Sequence, residues 1–383
     1  MRTPHVYACA AIALSALMAS PAASQQEQEL SSEWTLCIND DKAYPPDIAA
    51  DGCTAVIRSG KRGPRELAVA FTNRGLAHRA LGDFDRAFED YDSAIRLDPG
   101  YALAFNNRGA ARRDKGEYDR AIADYTEAIR LSPGNGVMIT NRGAAWRDKG
   151  DLDRAIADYN EAIRIDPKHG TAYTNRGNAY REKGDMDRAA ADYGVAIEVD
   201  PTNAVAFNNR GAVYLLKGDF EHALVYYSEA IRLDPKYALA FNNRGMAWRN
   251  KGETDLAVAD FGAAIRLNPR FGAAMVNRAN ILRDKGELDR ALTDYAEAIK
   301  LNPRNTFALT SRGLAHLRRG ELDGSIADFD AALAFNPKLA DSLYGRGIAK
   351  RRKGDSTGAD ADVAAAKAIR PGIAQEFAMS EIE

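Results

Sequence analysis

The chain has 383 residues but only three cysteines, five histidines and three tryptophans. Cys9, Cys37 and Cys53 form no CxxC pair and the histidines stand singly, so zinc-type ligand spacing is absent and no metal site is expected. Charge of one sign is also missing: 52 Lys and Arg against 54 Asp and Glu leave a formal net charge of −2. That balance gives no pull towards a phosphate backbone, and nucleic acid is not an expected partner. There is no glycine-rich phosphate loop and no nucleophile beside a base, so neither a catalytic residue nor a cofactor is expected, and the chain does not read as an enzyme. Long apolar runs are limited to Tyr7–Ala19, which is too short to span a bilayer comfortably. Arg2 precedes that run and Ala22-Ala23-Ser24 follows it before Gln25, so residues 1–24 read as a secretory signal peptide. The mature protein is then expected to be periplasmic or secreted, with no transmembrane segment.

What the chain does have is period. Pro99, Pro133, Pro167, Pro201, Pro235, Pro269, Pro303, Pro337 and Pro371 follow one another at intervals of 34 residues with no insertion. With Pro99 at position 32, the first unit runs from Ala68 to Tyr101 and eight more follow in register. Position 8 is Gly in eight units and Ala279 in the seventh; position 20 is Ala except for Ser325; position 24 is aromatic from Tyr91 to Phe329, then Val363; position 27 is always Ala. Gly at position 15, such as Gly82 or Gly150, suits the left-handed residue that ends a helix. An acid at position 18, such as Asp153, suits the first turn of the next helix. Pro at position 32 stops that second helix.

This pattern resembles the tetratricopeptide repeat, whose 34-residue signature is W-x2-L-G-x2-Y, then A-x3-F, then P. The resemblance implies an all-α fold, an α-solenoid right-handed superhelix of about nine helix-turn-helix repeats over residues 68–371, forming one cooperative array. The wording NRG followed by KGDxDRAIADYxxAIRLDP is similar to exported tetratricopeptide proteins of alphaproteobacteria, which implies a Gram-negative envelope. Counted back by 34, residues 34–67 form a degenerate unit inside an N-terminal cap, 25–67, with Cys37 at position 4 and Cys53 at position 20. Both then face the interior of a short helical pair, where in an exported protein a disulfide would replace missing packing. Residues 372–383 are expected to end in a short capping helix from Gln375, with Phe377 facing inward.

In the family the first helices line the concave face, and there position 6 is Asn73, Asn107, Asn141, Asn175, Asn209, Asn243 and Asn277. Asn is a poor mid-helix residue, so its recurrence asks for a reason. An amide offers donor and acceptor side by side, which suits the peptide group of an extended chain. The row resembles the asparagine ladder in the tetratricopeptide domain of O-linked N-acetylglucosamine transferase, which implies an extended polypeptide ligand and a non-enzymatic scaffold. Bonding between neighbouring repeats is the competing reading of the same row. Position 7, usually Leu in the family, is Arg in all nine units, and position 23 is Asp in eight, as in Arg108 with Asp124 and Arg142 with Asp158. A charge at a packing position needs a partner, so each Arg is expected to reach an Asp of its own or an adjacent unit. The fifth unit departs from this: Leu215 and Leu216 replace the usual Arg-Asp at positions 12 and 13, Tyr226 replaces the acid, and Tyr214 and Val213 lie alongside. A locally apolar stretch of groove is expected there. Docking of folded partners by the outer surface, or binding of an envelope polysaccharide through Trp146, Tyr180, Tyr214 and Trp248, are the alternative functions.

Overall fold

The computed structural model describes residues 32–379, and every regular element among them is helical. The expected signal peptide, residues 1–24, lies outside the described residues, as does the end of the tail, 380–383. No helix among the described residues is long and apolar enough to cross a membrane.

The third repeat shows how the sequence builds the unit. Its two helices are Gly136–Lys149 and Leu152–Ile165. Gly150 takes φ 93°, a left-handed value that a side chain would oppose, and its N–H donates to the carbonyl of Arg147 at 2.8 Å. The next N–H, from Asp151, returns to the carbonyl of Trp146 at 2.9 Å, so the frayed end of the first helix is satisfied within two residues. The Asp151 carboxylate then accepts from the N–H of Arg154 at 3.1 Å and caps the second helix. That helix ends at Ile165, two residues before Pro167. The same turn glycine recurs with positive φ in all nine repeats, from Gly82 to Gly354.

The helices of a pair meet where the small residues stand. A Cβ on Gly143 would lie 2.8 Å from Cε1 of Tyr159 and 3.2 Å from the carbonyl of Ala155, so the absent side chain is what lets the tyrosine ring lie flat against the first helix. Tyr159 and its counterparts Tyr91, Tyr125, Tyr193, Tyr227, Phe261, Tyr295 and Phe329 are all but fully buried and form the row around which each pair closes.

The chain divides into two compact units between Pro167 and Lys168. The first holds the N-terminal cap and three repeats. In the cap, helix 32–38 and helix Pro46–Ser59 are joined by the expected Cys37–Cys53 disulfide, Sγ–Sγ 2.10 Å. Both sulfurs sit in a small core with Val56 and with Ala70 of the first repeat. The second unit holds repeats four to nine and the final helix, Ile373–Met379, which begins two residues earlier than expected. Its Ile373 and Phe377 are buried, the Phe377 ring 4.7 Å from that of Tyr344 in the ninth repeat.

Candidate functional site

The position-6 asparagines all lie half-buried on first helices, and most of their amides bond within the protein. In the first unit Asn141 donates to Oδ1 of Asn106 at 3.0 Å, and Asn106 in turn donates to Oδ1 of Asn107 at 3.2 Å. The second unit repeats the scheme: Asn243 donates to Asn208 at 3.0 Å, Asn277 to Asn242 at 3.1 Å, and Asn208 and Asn242 donate to Asn209 and Asn243. Asn209 reaches instead to Asn178, at 3.2 Å. Asn175 occupies the equivalent place on Gly170–Glu182. The ladder therefore ties adjacent repeats together, and its second rail is a set of position-5 asparagines, Asn106, Asn208 and Asn242, each buried. Sequence reasoning overlooked these, although the Asn-Asn dipeptides at 106–107, 208–209 and 242–243 were a visible signal.

Among the described residues the side chains of Asn73 and Asn175 make no hydrogen bond, and Asn73 stands beside the cap. The acceptor lies 35 residues before the donor in the pairs of Asn141 with Asn106 and of Asn243 with Asn208, and for Asn73 that place falls in the cap at Ile38, which has no side-chain acceptor. Asn73 faces a cleft of about 780 Å³ between cap and first repeats. Ile38, Tyr44 and Leu76 give the cleft an apolar wall, Leu76 being 43% exposed. Arg79 and Asp114 close one side as an ion pair of 2.6 Å linking repeats one and two. Arg113 and Asp148 make the same link between repeats two and three. The zwitterionic row at positions 12 and 13 thus joins repeats one to three, whereas Arg283 in the seventh repeat pairs with Asp284 of its own, and the first repeat presents an amide and apolar surface together.

The expected Arg–Asp pairs form in eight repeats, always within the repeat. Arg142 donates from Nε and Nη2 to the two oxygens of Asp158 at 2.9 and 2.7 Å, and Arg108 holds Asp124 at 2.7 Å in the same way. A second arm reaches backwards: Nη1 of Arg108 donates to Asp92 at 2.5 Å and Nη1 of Arg142 to Thr126 at 3.3 Å, both in the preceding repeat. One guanidinium thus spans both helices of its own pair and the last helix of the one before. The hydrogen bonds that Arg142 donates to Asp158 outweigh the effect of burial and raise the Arg142 pKa above its ordinary value. At the other end of the array burial disfavours the Asp362 carboxylate, but Arg346 and Lys350 outweigh it and hold that pKa below the usual range.

The fifth repeat differs from its expected form. Val213 is fully buried and belongs to the core, Leu215 is half-buried, and Leu216 is 64% exposed, so the apolar stretch of groove is reduced to the two leucines. The ring of Tyr226 stacks on Tyr214 with centroids 5.3 Å apart. Of the other position-11 aromatics, Trp146 lies under Arg154 at 4.6 Å and Tyr180 under Arg188 at 4.5 Å.

Paired helices of fixed length, closed by a turn glycine and a buried aromatic and joined by repeating side-chain bonds, define a helical-repeat protein. The chain belongs to the tetratricopeptide repeat family, whose profiles match residues 72–136, 242–306, 276–340 and 310–372, with residues 204–237 matched as a tetratricopeptide repeat and 143–182 and 177–218 as a TPR repeat. No curated protein matches the chain. Among solved structures it is similar to the APC/C hetero-tetramer Cut9-Hcn1, at 15% identity over 91% of this chain and 85% of that one, TM-score 0.52. A tetratricopeptide repeat protein from Parabacteroides merdae is 22% identical over 65% of this chain and 98% of its own, TM-score 0.50. YrrB, described as a TPR protein with an unusual peptide-binding site, is 26% identical over 49% of this chain and 97% of its own, TM-score 0.40.

Proposed function

We propose that the protein is a non-enzymatic interaction scaffold of a Gram-negative cell envelope, and that it holds an extended segment of another polypeptide against its first helices. The cleft at the N-terminal end carries this reading. There the Asn73 amide can pair with a peptide group while Ile38, Tyr44 and Leu76 take an apolar side chain. Further along, the amides of Asn141, Asn209, Asn243 and Asn277 already bond to neighbouring repeats, so their share in binding is to hold the wall in shape. The Cys37–Cys53 bond supports an oxidising destination, and the mature chain is expected to begin at Gln25.

The test is affinity capture from envelope extract with three forms of the mature protein: wild type, the Asn73→Ala, Leu76→Glu variant, and the Asn141→Ala, Asn175→Ala, Asn209→Ala variant. A partner kept by the wild type and lost with the first variant, while circular dichroism stays helical, supports capture in the cleft. Loss only with the triple variant would return binding to the ladder. Equal capture by all three would move the interaction to the outer surface.

A further inference from the structure

The nine position-7 arginines have two places to bond: the position-23 Asp of their own repeat and the position-25 side chain of the repeat before. Arg278 has Gly262 behind it but keeps Asp294 at 2.7 Å. Arg210 has lost both, because its own repeat carries Tyr226 and the preceding one Gly194. Its Nε is buried with no hydrogen-bond partner. Where a Cβ on Gly194 would stand, Nη1 of Arg210 is 3.4 Å away, so glycine leaves room beside the guanidinium and offers no acceptor.

The loss changes the neighbouring surface. In repeats one, two, four and six the Arg lies over the aromatic residue at position 4, at 5.3 Å for Phe71, 5.4 Å for Phe105 and Tyr173, and 5.6 Å for Phe241. Arg210 instead lies over Tyr226, at 4.8 Å. Phe207, the position-4 residue of this repeat, then lines an open cleft of about 620 Å³ with Val225, Tyr226 and Trp248. Val225 is 64% exposed, where most repeats have alanine. The cleft is rimmed by Glu229 and Arg232, which pair with each other at 2.6 Å and cancel. A cation without a counter-charge therefore adjoins an apolar, aromatic cleft on the flank that carries the Arg–Asp row.

We infer that this flank of the fifth repeat is a second docking site, for a protein segment in which an Asp or Glu is flanked by apolar residues. The acid supplies the carboxylate that Tyr226 displaced, and its neighbours fill the Phe207–Trp248 cleft. The site is distinct from the cleft at Asn73 and stands whether or not that one binds a peptide.

The probe is a pair of fluorescein-labelled decapeptide pools, one with a fixed central Glu among Leu, Phe, Ala and Ser, the other with Gln in its place. By fluorescence anisotropy with the mature full chain, the Glu pool is expected to bind about tenfold more tightly, the scale of a hydrogen bond to a charged group. Arg210→Gln should remove the preference. Tyr226→Asp should remove it too, because it restores the ion pair of the other eight repeats; a rise in melting temperature would show that this variant folds. The Asn73→Ala, Leu76→Glu variant should keep the preference, which separates this site from the proposed groove. Equal binding of the two pools, or a preference that survives Tyr226→Asp, overturns the inference. A concentration-dependent dimer abolished by Tyr226→Asp would assign the cleft to a second copy of the chain and likewise overturn it.

Discussion

The guanidinium of Arg142 is held because Asp158 is nearly buried beside it, and an unpartnered charge in that place costs more than the pair returns. Asp158→Ala is expected to destabilise the third repeat by about 2 kcal/mol. The charge-neutral double replacement, Arg142→Leu with Asp158→Leu, should recover most of that loss if the pair's value lies only in neutralising itself. If instead the bridge to Thr126 fixes how adjacent helix pairs meet, the double variant will stay less protected in amide hydrogen exchange across repeats two and three. A second case concerns the tyrosine row. Tyr193 donates its hydroxyl to Asn178 at 2.7 Å and Tyr295 to Asn280 at 2.6 Å, whereas the Tyr227 hydroxyl is buried with no partner. Burial pushes the Tyr227 pKa far up, so it remains a neutral donor. Ala212 stands where Asn178 and Asn280 do, and Ala212→Asn is expected to stabilise the fifth repeat by about 1 kcal/mol, read as slower exchange of its amides.

At the scale of the helix pair, the turn decides the geometry and the sequence states it openly. Gly150 accepts the positive φ, Asp151 caps, and Pro167 follows the end of the second helix. The caps are uneven: Asp83, Asp151, Asp185, Asp219 and Asp355 accept a backbone N–H, while Glu117, Glu253, Glu287 and Glu321 at the same position do not, the longer side chain turning elsewhere. Asp151→Ala should cost about 1 kcal/mol, and Glu117→Asp should gain part of that amount in the second repeat. Both effects are checked by the urea dependence of exchange in the two repeats, and equal behaviour of Asp and Glu variants would refute the cap argument.

Across the molecule, stability in a repeat protein is a sum of local terms, so its ends are where opening begins. Both ends of the described chain carry a device against this. The N-terminal cap has a disulfide and the ninth repeat has Ile373 and Phe377 folded over Tyr344. Cys37→Ser with Cys53→Ser is expected to cost about 3 kcal/mol locally and to open the cleft at Asn73. Phe377→Ser should release exchange in repeat nine while leaving repeats one to three unchanged. Uniform loss of protection along the whole chain in either variant would contradict the local picture.

The period of 34 residues, the helix boundaries, the small-against-aromatic contact and the pairing of position-7 Arg with position-23 Asp, as in Arg142–Asp158, could be read from sequence alone, because duplication writes each contact many times at one spacing, and the single Cys37–Cys53 pair followed from placing the cap in the same register. The tertiary structure decided what the asparagines touch. Position 6 shows an amide but not its acceptor, and whether Asn141 meets a ligand or Asn106 depends on how far one helix pair is offset from the next, a distance of 35 residues along the chain. It also decided that Val213 is core and that Arg210 lies on Tyr226, since the direction of a side chain within a helix pair follows from what its neighbours leave open. The repeated residues fix the frame because they must satisfy the same contacts in every copy; the places where one copy breaks the rule acquire meaning only when the surrounding surface is built.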